Sequence, residues 1–416
     1  MRNLRRLLAF CIACMLVLTT SIFMNINSGA AAPRPLRKSK LGAHSSSSDQ
    51  EWAKDFSRYG LTATQCSSEF KSLFYEIERA VAHRNKIGNV NESDIDLDWK
   101  PEGAVRAMIY NQKLYVLESK INNDFLVSRA LSTLHQIDRA VATSPEPLPN
   151  IEFSFVVSDF PDIKHQHHTF WALSRLAIDE EIWLMPDFGY WSWPLDLVGN
   201  YEQIRAEIKA NEVVWEEKVH KALWRGAIKT NNRVRSSLIR ASQGKSCSAG
   251  LALSIADHCG HQFLIHTEGR SYSGRGKYLL NCESITIMHK SEWIEPHQSV
   301  LVASGPDQNF VQVERNFSDL ESKIQHLLQD SRLAKTIAQN SAKTFRDRYL
   351  TPAAQACYWR QLIRSWAEVS FRPKPWVLID GGKKRLRGVP FETFVIQALD
   401  EDHFHCPVWR KLSLQC

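Results

Sequence analysis

The feature that most constrains this chain's fold is a change of rhythm, from strand spacing to helix spacing and back, that runs through both halves. Ile151, Phe153, Phe155 and Val157 alternate as a strand does, and the apolar run stops at Ser158-Asp159-Phe160-Pro161, where proline forces a turn. From about Val219 a second series begins, with strand-like segments at 222–224, 263–266, 285–288 and 300–303 and a glycine-rich loop with a short helix among them. Helical faces flank both series: Phe70, Leu73, Phe74, Ile77 and Val81; then Val127, Ala130, Leu131, Leu134 and Val141. Residues 105–118 read as a strand pair between these two helices. Ser318 and Glu321 form a capping-box pattern before Leu320, Ile324, Leu327 and Leu328, and a further helix spans about 332–345. Alternation in both halves predicts an α/β protein of two doubly wound, Rossmann-like domains facing a cleft.

The chain is longer than one hydrophobic core usually organises, which agrees with two domains. The expected divisions are a first domain at 53–205, a second at 206–349, a helix at 350–370 that packs back on the first, and an irregular extension at 371–416. Ahead of them, residues 7–26 are apolar and uncharged behind Arg2, Arg5 and Arg6, long enough to cross a bilayer as a signal anchor after a short tail at 1–6. A cleaved signal peptide is the rival, since Ala30-Ala31-Ala32 resembles a cleavage site. Residues 27–52, rich in Ser, Ala, Pro and basic residues, have the composition of a flexible stem.

Arg34, Arg37, Lys38 and Lys40 lie beyond the span, so loop charge alone leaves orientation open. The residues beyond favour the secretory lumen. Asn91-Glu92-Ser93 and Asn316-Phe317-Ser318 are glycosylation acceptors by pattern, and the cysteines beyond the span form no metal-type CxxC pair. The expected topology is single-pass type II in the Golgi or endoplasmic reticulum membrane. The formal charge of +7 is spread along the chain in no single stripe, which argues against nucleic acid and for a small anionic substrate. The basic cluster from Lys383 to Arg387 reads as a solvated tail.

Three segments could carry chemistry. Asp159 ends a strand at the edge where α/β sheets bind ligands; its ordinary alternative is to cap the turn. Gly269, Gly274 and Gly276 let the backbone approach an anion after a strand, with Arg275 as charge partner; the alternative is a plain strand-to-helix turn. Trp224-Arg225-Gly226 and Arg233 repeat that chemistry upstream, and arginine forks can neutralise a diphosphate without a metal. Asp94, Asp96 and Asp98 resemble a metal-binding DxD but follow a polar loop, and His165, His167 and His168 show no fourth ligand at helical spacing, so no metal is expected. Trp191 and Trp193 are candidates to stack on acceptor sugar, with core packing as their alternative use.

Taken together, Trp224-Arg-Gly226, Glu268-Gly269 with Ser273-Gly-Arg275, Leu279-Leu-Asn-Cys282-Glu-Ser284, Glu292-Trp293, the segment 310–320 and Ala356-Cys-Tyr-Trp359 resemble glycosyltransferase family 90. That family includes fungal capsule-associated xylosyltransferases and animal protein O-glucosyltransferases, and the resemblance leans to a fungal member. It implies a GT-B architecture, a UDP-sugar donor, inversion at the anomeric carbon, and a glycan or glycoprotein acceptor with no cofactor. By resemblance Asp159 is the catalytic base, while Arg225, Gly226, Arg233, Gly269, Ser271, Ser273 and Arg275 bind the donor. Xylose is favoured over glucose on the fungal likeness. Many members carry His-Tyr where this chain has Asn309-Phe310.

The resemblance also implies a Cys259–Cys282 disulfide around the glycine-rich loop, and a Cys66–Cys357 bridge would tie the first helix to the last. Cys247, Cys406 and Cys416 stay unassigned. Two rival functions are open: an inactive family member that binds glycans or acts as a scaffold, and a glycoside hydrolase, for which Asp159 lacks a second carboxylate.

Overall fold

A computed structural model describes residues 56–161, 168–194, 198–243 and 253–400. The expected tail, anchor and stem at 1–52 lie outside them, as do His165 and His167. Among the described residues no helix is long and apolar enough to cross a membrane.

Helices α1 (Ala63–Phe70) and α2 (Tyr75–Ile87) precede a hairpin of β1 (Ala104–Tyr110) and β2 (Lys113–Lys120), then α3 (Asp124–Ala142). Strand β3 (Ile151–Val156) is followed by the short β4 (Phe170–Ala172), β5 (Arg175–Leu176) and β6 (Ile182–Leu184), and by α4 (Tyr201–Ala210). Side chains start these helices where the sequence offers caps: Thr62 with Gln65 closes a capping box on α1, and Asn123 and Asn200 cap α3 and α4.

The first sheet has the order β14-β2-β1-β3-β4-β6, with β14 (Val389–Pro390) contributed from late in the chain. Its β3, β4 and β6 are parallel, but β1 and β2 run antiparallel to their neighbours, so the sheet is mixed and not doubly wound throughout. The cause is local. Asn111 and Gln112 both take positive φ, 49° and 61°, in a two-residue turn that can join only antiparallel strands. Gln112 is an unusual choice there, and its amide is held both ways: it accepts from Leu148 N–H (2.9 Å) and donates to Leu148 C=O (2.7 Å).

The second series runs β7 (Val219–Leu223), α5 (Asn232–Ala241), β8 (His261–His266), α6 (Gly276–Leu279), β9 (Ile285–His289), β10 (Trp293–Ile294) and β11 (Val311–Val313). Helices α7 (Leu320–Gln329) and α8 (Ser331–Thr344) follow. Its main sheet, β11-β9-β8-β7, is wholly parallel. The strand expected at 300–303 is absent and its place is taken by β11. Asn309 spends its amide on Val300 C=O (2.9 Å) and Val302 N–H (2.9 Å), which removes those groups from any ladder. Helix α7 starts one residue later than the Ser318 pattern suggests: Asp319 holds the N-cap position and its carboxylate accepts from Glu314 N–H instead.

Helix α9 (Pro352–Val369), capped by Thr351 with proline at its start, packs on the first sheet. Trp366 meets Trp171 and Trp183 edge-on at 5.7 and 5.2 Å, and Tyr358 donates to Leu184 C=O. Trp171 and Trp183 face each other across β4 and β6 and are buried, and Trp215 sits in the core under the second sheet. The tryptophans between the two series are therefore largely core, not a cleft lining. Disulfides join Cys66 to Cys357 and Cys259 to Cys282. Past α9 the chain is regular where the sequence shows no periodicity: β12 (Trp376–Ile379) pairs with β13 (Lys383–Leu386), β14 joins the first sheet, and α10 (Phe391–Asp400) is the last described element.

Candidate active site

Parallel strands deliver their following loops to one edge, and the two sheets put the chemistry-bearing residues there. Asp159 follows β3 and Asp187 follows β6; Arg225 and Gly226 follow β7, and the Glu268–Arg275 loop follows β8. These loops meet. The Ser271 hydroxyl donates to the carbonyl oxygen of Asp159, joining the strand-end turn of one series to the glycine-rich loop of the other.

The Asp159 carboxylate is about one-third exposed and accepts from Arg129 Nη1 at 2.8 Å. Arg129 also donates to Val157 C=O (2.8 Å) and lies over the rings of Phe125 (4.0 Å) and Phe188 (4.6 Å), so the cation is fixed before any ligand arrives. A cavity of about 230 Å³ opens at the carboxylate, lined among others by Arg129, Phe125, Phe160 and Arg270. Trp293 lies 5.9 Å from Phe160, held there because buried Glu268 accepts from the backbone N–H of Glu292 (2.7 Å) and Trp293 (2.9 Å).

In the glycine-rich loop, Gly269 has no room for a side chain: a Cβ would lie 2.7 Å from Tyr272 C=O, to which its own N–H donates (3.1 Å). At Gly226 a Cβ would meet the Trp224 ring at 2.8 Å. The Arg275 guanidinium donates to the carbonyl of Arg225, so the two segments that each offered a glycine and an arginine form one basic locus. Burial lowers the pKa of Arg275, and that of Arg235 falls to about 10 through burial and then repulsion from Arg275. Arg233 is exposed on α5, whereas Arg235 is buried and donates to Glu268 C=O (3.1 Å) and Ala227 C=O (2.7 Å). Ser273 is half-buried in the same loop.

Asp187 and Lys277 were not legible as site residues. Lys277 Nζ lies 2.6 Å from the Asp187 carboxylate, which also takes the Gly189 N–H (2.6 Å) and the Tyr272 hydroxyl. Both ion-pair side chains are almost fully buried, at 3% and 5% exposure. The pair ties the edge of the first sheet to the loop that carries Arg275. Nearby Glu295 has its carboxyl pushed up by burial and by Asp187. Burial holds His297 down to about 4 and His266, whose ring packs under Gly276, down to about 3.

The other sequence candidates are used differently. Trp191 stacks on His135 at 4.7 Å with Arg139 over its ring at 3.9 Å, and Trp193 packs against Phe188 and the core beneath α4. Asp96 pairs with His168, Asp94 bonds the Asn91 N–H, and Asp98 is exposed. Asn91 and Asn316 are both exposed.

A family model described as glycosyl transferase family 90 matches residues 63–377. The chain belongs to glycosyl transferase family 90. Relatives are distant: an O-glucosyltransferase rumi homolog of Anopheles gambiae is 23% identical over 350 residues, 73% of this chain and 85% of that protein. Protein O-glucosyltransferase 2 of Danio rerio is 24% identical over 255 residues, and this chain covers 49% of its length. Protein O-glucosyltransferase 3 of Rattus norvegicus is 23% identical over 171 residues, 33% of its length. The matched range spans Arg129, Asp159, Asp187 and the whole glycine-rich loop.

Proposed function

We propose that this chain is an inverting, metal-independent glycosyltransferase of GT-B architecture that moves a sugar from a UDP-sugar to a hydroxyl of a glycan or protein. The observation that carries the reading is the Ser271 bond to Asp159, which sets a partly exposed carboxylate against a loop of glycines and arginines. An acceptor hydroxyl is a poor nucleophile near neutral pH. A carboxylate within hydrogen-bond reach takes its proton as the oxygen attacks the anomeric carbon, and a single base on the face opposite the leaving group suffices for inversion. Arg275, held by the Arg225 carbonyl, and the Arg225 side chain supply positive charge where the leaving diphosphate gains negative charge. The cavity at Asp159 is the place for the acceptor.

The relatives' names point to glucose as donor sugar and a protein as acceptor, and xylose is the second donor to test. The reading includes a catalytic part in the secretory lumen of the Golgi or endoplasmic reticulum, anchored through residues 7–26, with exposed Asn91 and Asn316 as glycosylation sites. A panel of UDP-sugars offered to the purified protein, scored for donor hydrolysis and transfer with and without chelator, tests it. UDP-glucose or UDP-xylose turnover that survives chelator supports the proposal. Turnover that vanishes in chelator and returns with manganese contradicts its metal independence.

A further inference from the structure

The ribbon β12–β13 has no role in the site described above. Its register pairs Trp376 with Leu386, Val377 with Arg385, Leu378 with Lys384 and Ile379 with Lys383. Its four consecutive apolar residues are all exposed: Trp376 49%, Val377 37%, Leu378 73% and Ile379 41%. Successive side chains of a strand point to opposite faces, so Trp376 and Leu378 occupy one face and Val377 and Ile379 the other. The base is rigid. Arg387 is clamped to buried Glu152 at 2.8 and 2.9 Å, and its N–H donates to Pro375 C=O (2.8 Å). The tip turns through Gly381 and Gly382, both at positive φ, 78° and 74°.

We propose that this ribbon is a contact for an anionic lipid surface, with its apolar strand set into the interface and Lys383, Lys384 and Arg385 on the phosphates. Two observations select this occupant. Apolar groups exposed on both faces would be only half covered by a protein surface laid on one face, whereas a lipid interface surrounds a projecting tip on all sides. Between Trp376 and Arg385 the sole acidic residue is Asp380 against three adjacent cations, so a second copy of the ribbon would bring like charges together. The open strand edges keep unpaired backbone groups, which limits the insertion to the hydrated headgroup region. Each cation near an anionic surface contributes on the order of a fivefold gain in binding. The inference is independent of what residues 7–26 do.

The test is hydrogen exchange of the full chain with phosphatidylcholine vesicles and with vesicles containing phosphatidylserine. Amides of 376–386 should slow at least about fivefold with the anionic vesicles only, and the triple variant K383E/K384E/R385E should lose that protection while UDP binding is retained. Equal protection with both vesicles, or none with either, overturns the proposal. Protection that needs no lipid and grows with protein concentration also overturns it and assigns the ribbon to a second copy.

Discussion

Arg129 Nη1 bridges the Asp159 carboxylate and the Val157 carbonyl, 2.8 Å from each, so the strand end and the proposed base are held by one guanidinium. These bonds fit Arg129 for aiming the proposed base. Arg129→Gln should therefore lower kcat/KM about tenfold or more, roughly 1.4 kcal/mol of transition-state stabilisation, with UDP affinity unchanged. Steady-state kinetics beside UDP titration calorimetry separates the two effects. A variant that loses UDP binding in proportion to rate would place Arg129 in the donor site.

Arg275 is the opposite case. Its guanidinium donates to the Arg225 carbonyl, and if it holds the diphosphate as proposed, Arg275→Ala should weaken UDP binding about tenfold or more, as expected for losing a charge-assisted bond of roughly 1.5–3 kcal/mol. Calorimetry with UDP alone reads this directly, and unchanged affinity would remove Arg275 from the diphosphate site.

The Asp187–Lys277 pair is buried on both sides, so removing one partner leaves a charge without compensation. Lys277→Met should cost on the order of 3–5 kcal/mol in urea unfolding, and adding Asp187→Asn should recover part of it. If the double variant is as unstable as the sum of the single ones, the pair is not the tie between the sheet edge and the glycine-rich loop.

Acid should loosen the same region. Histidines titrate near 6.5 when unfolded, but burial holds folded His297 at about 4 and His266 at about 3. The unfolded chain then binds more protons in that window, so this stability is complete above about pH 6.5 and is lost as pH falls toward 4 and 3. Glu295, with its pKa raised, works in the other direction. The difference between wild type and His297→Gln isolates the histidine: wild-type stability should fall more steeply below pH 6.5, by up to about 1.4 kcal/mol per pH unit. Parallel curves would show that His297 titrates normally in the fold.

Strand ends are legible in the sequence because apolar runs halt at them, and Asp159 and the glycine-rich loop both stand at such ends. Arg129 was hidden in an apparently ordinary helix, although a charge inside the buried stripe with Leu126, Ala130 and Thr133 was the signal available. Arg233 drew attention by its place in a motif, while helical phase turns Arg235 inward and leaves Arg233 on the surface. The strand pair at 105–118 is legible, but not that it makes the first sheet mixed where a doubly wound one is expected: Asn-Gln is a weak turn signature whose cost is met by contacts with Leu148, far along the chain. Asp187 and Lys277 are ninety residues apart, and no local pattern announces a pair made by tertiary packing.

The central claim is that Asp159 accepts the acceptor's proton, and single-turnover transfer by Asp159→Asn tests it most directly. Asn keeps the size and can still meet Ser271 through the backbone, but it cannot act as a base. With UDP affinity within a few-fold of wild type and an unchanged unfolding midpoint, transfer should fall by about 10²-fold or more. Transfer at near wild-type rate by a folded, UDP-binding Asp159→Asn protein would contradict the assignment and leave Asp159 as a turn residue.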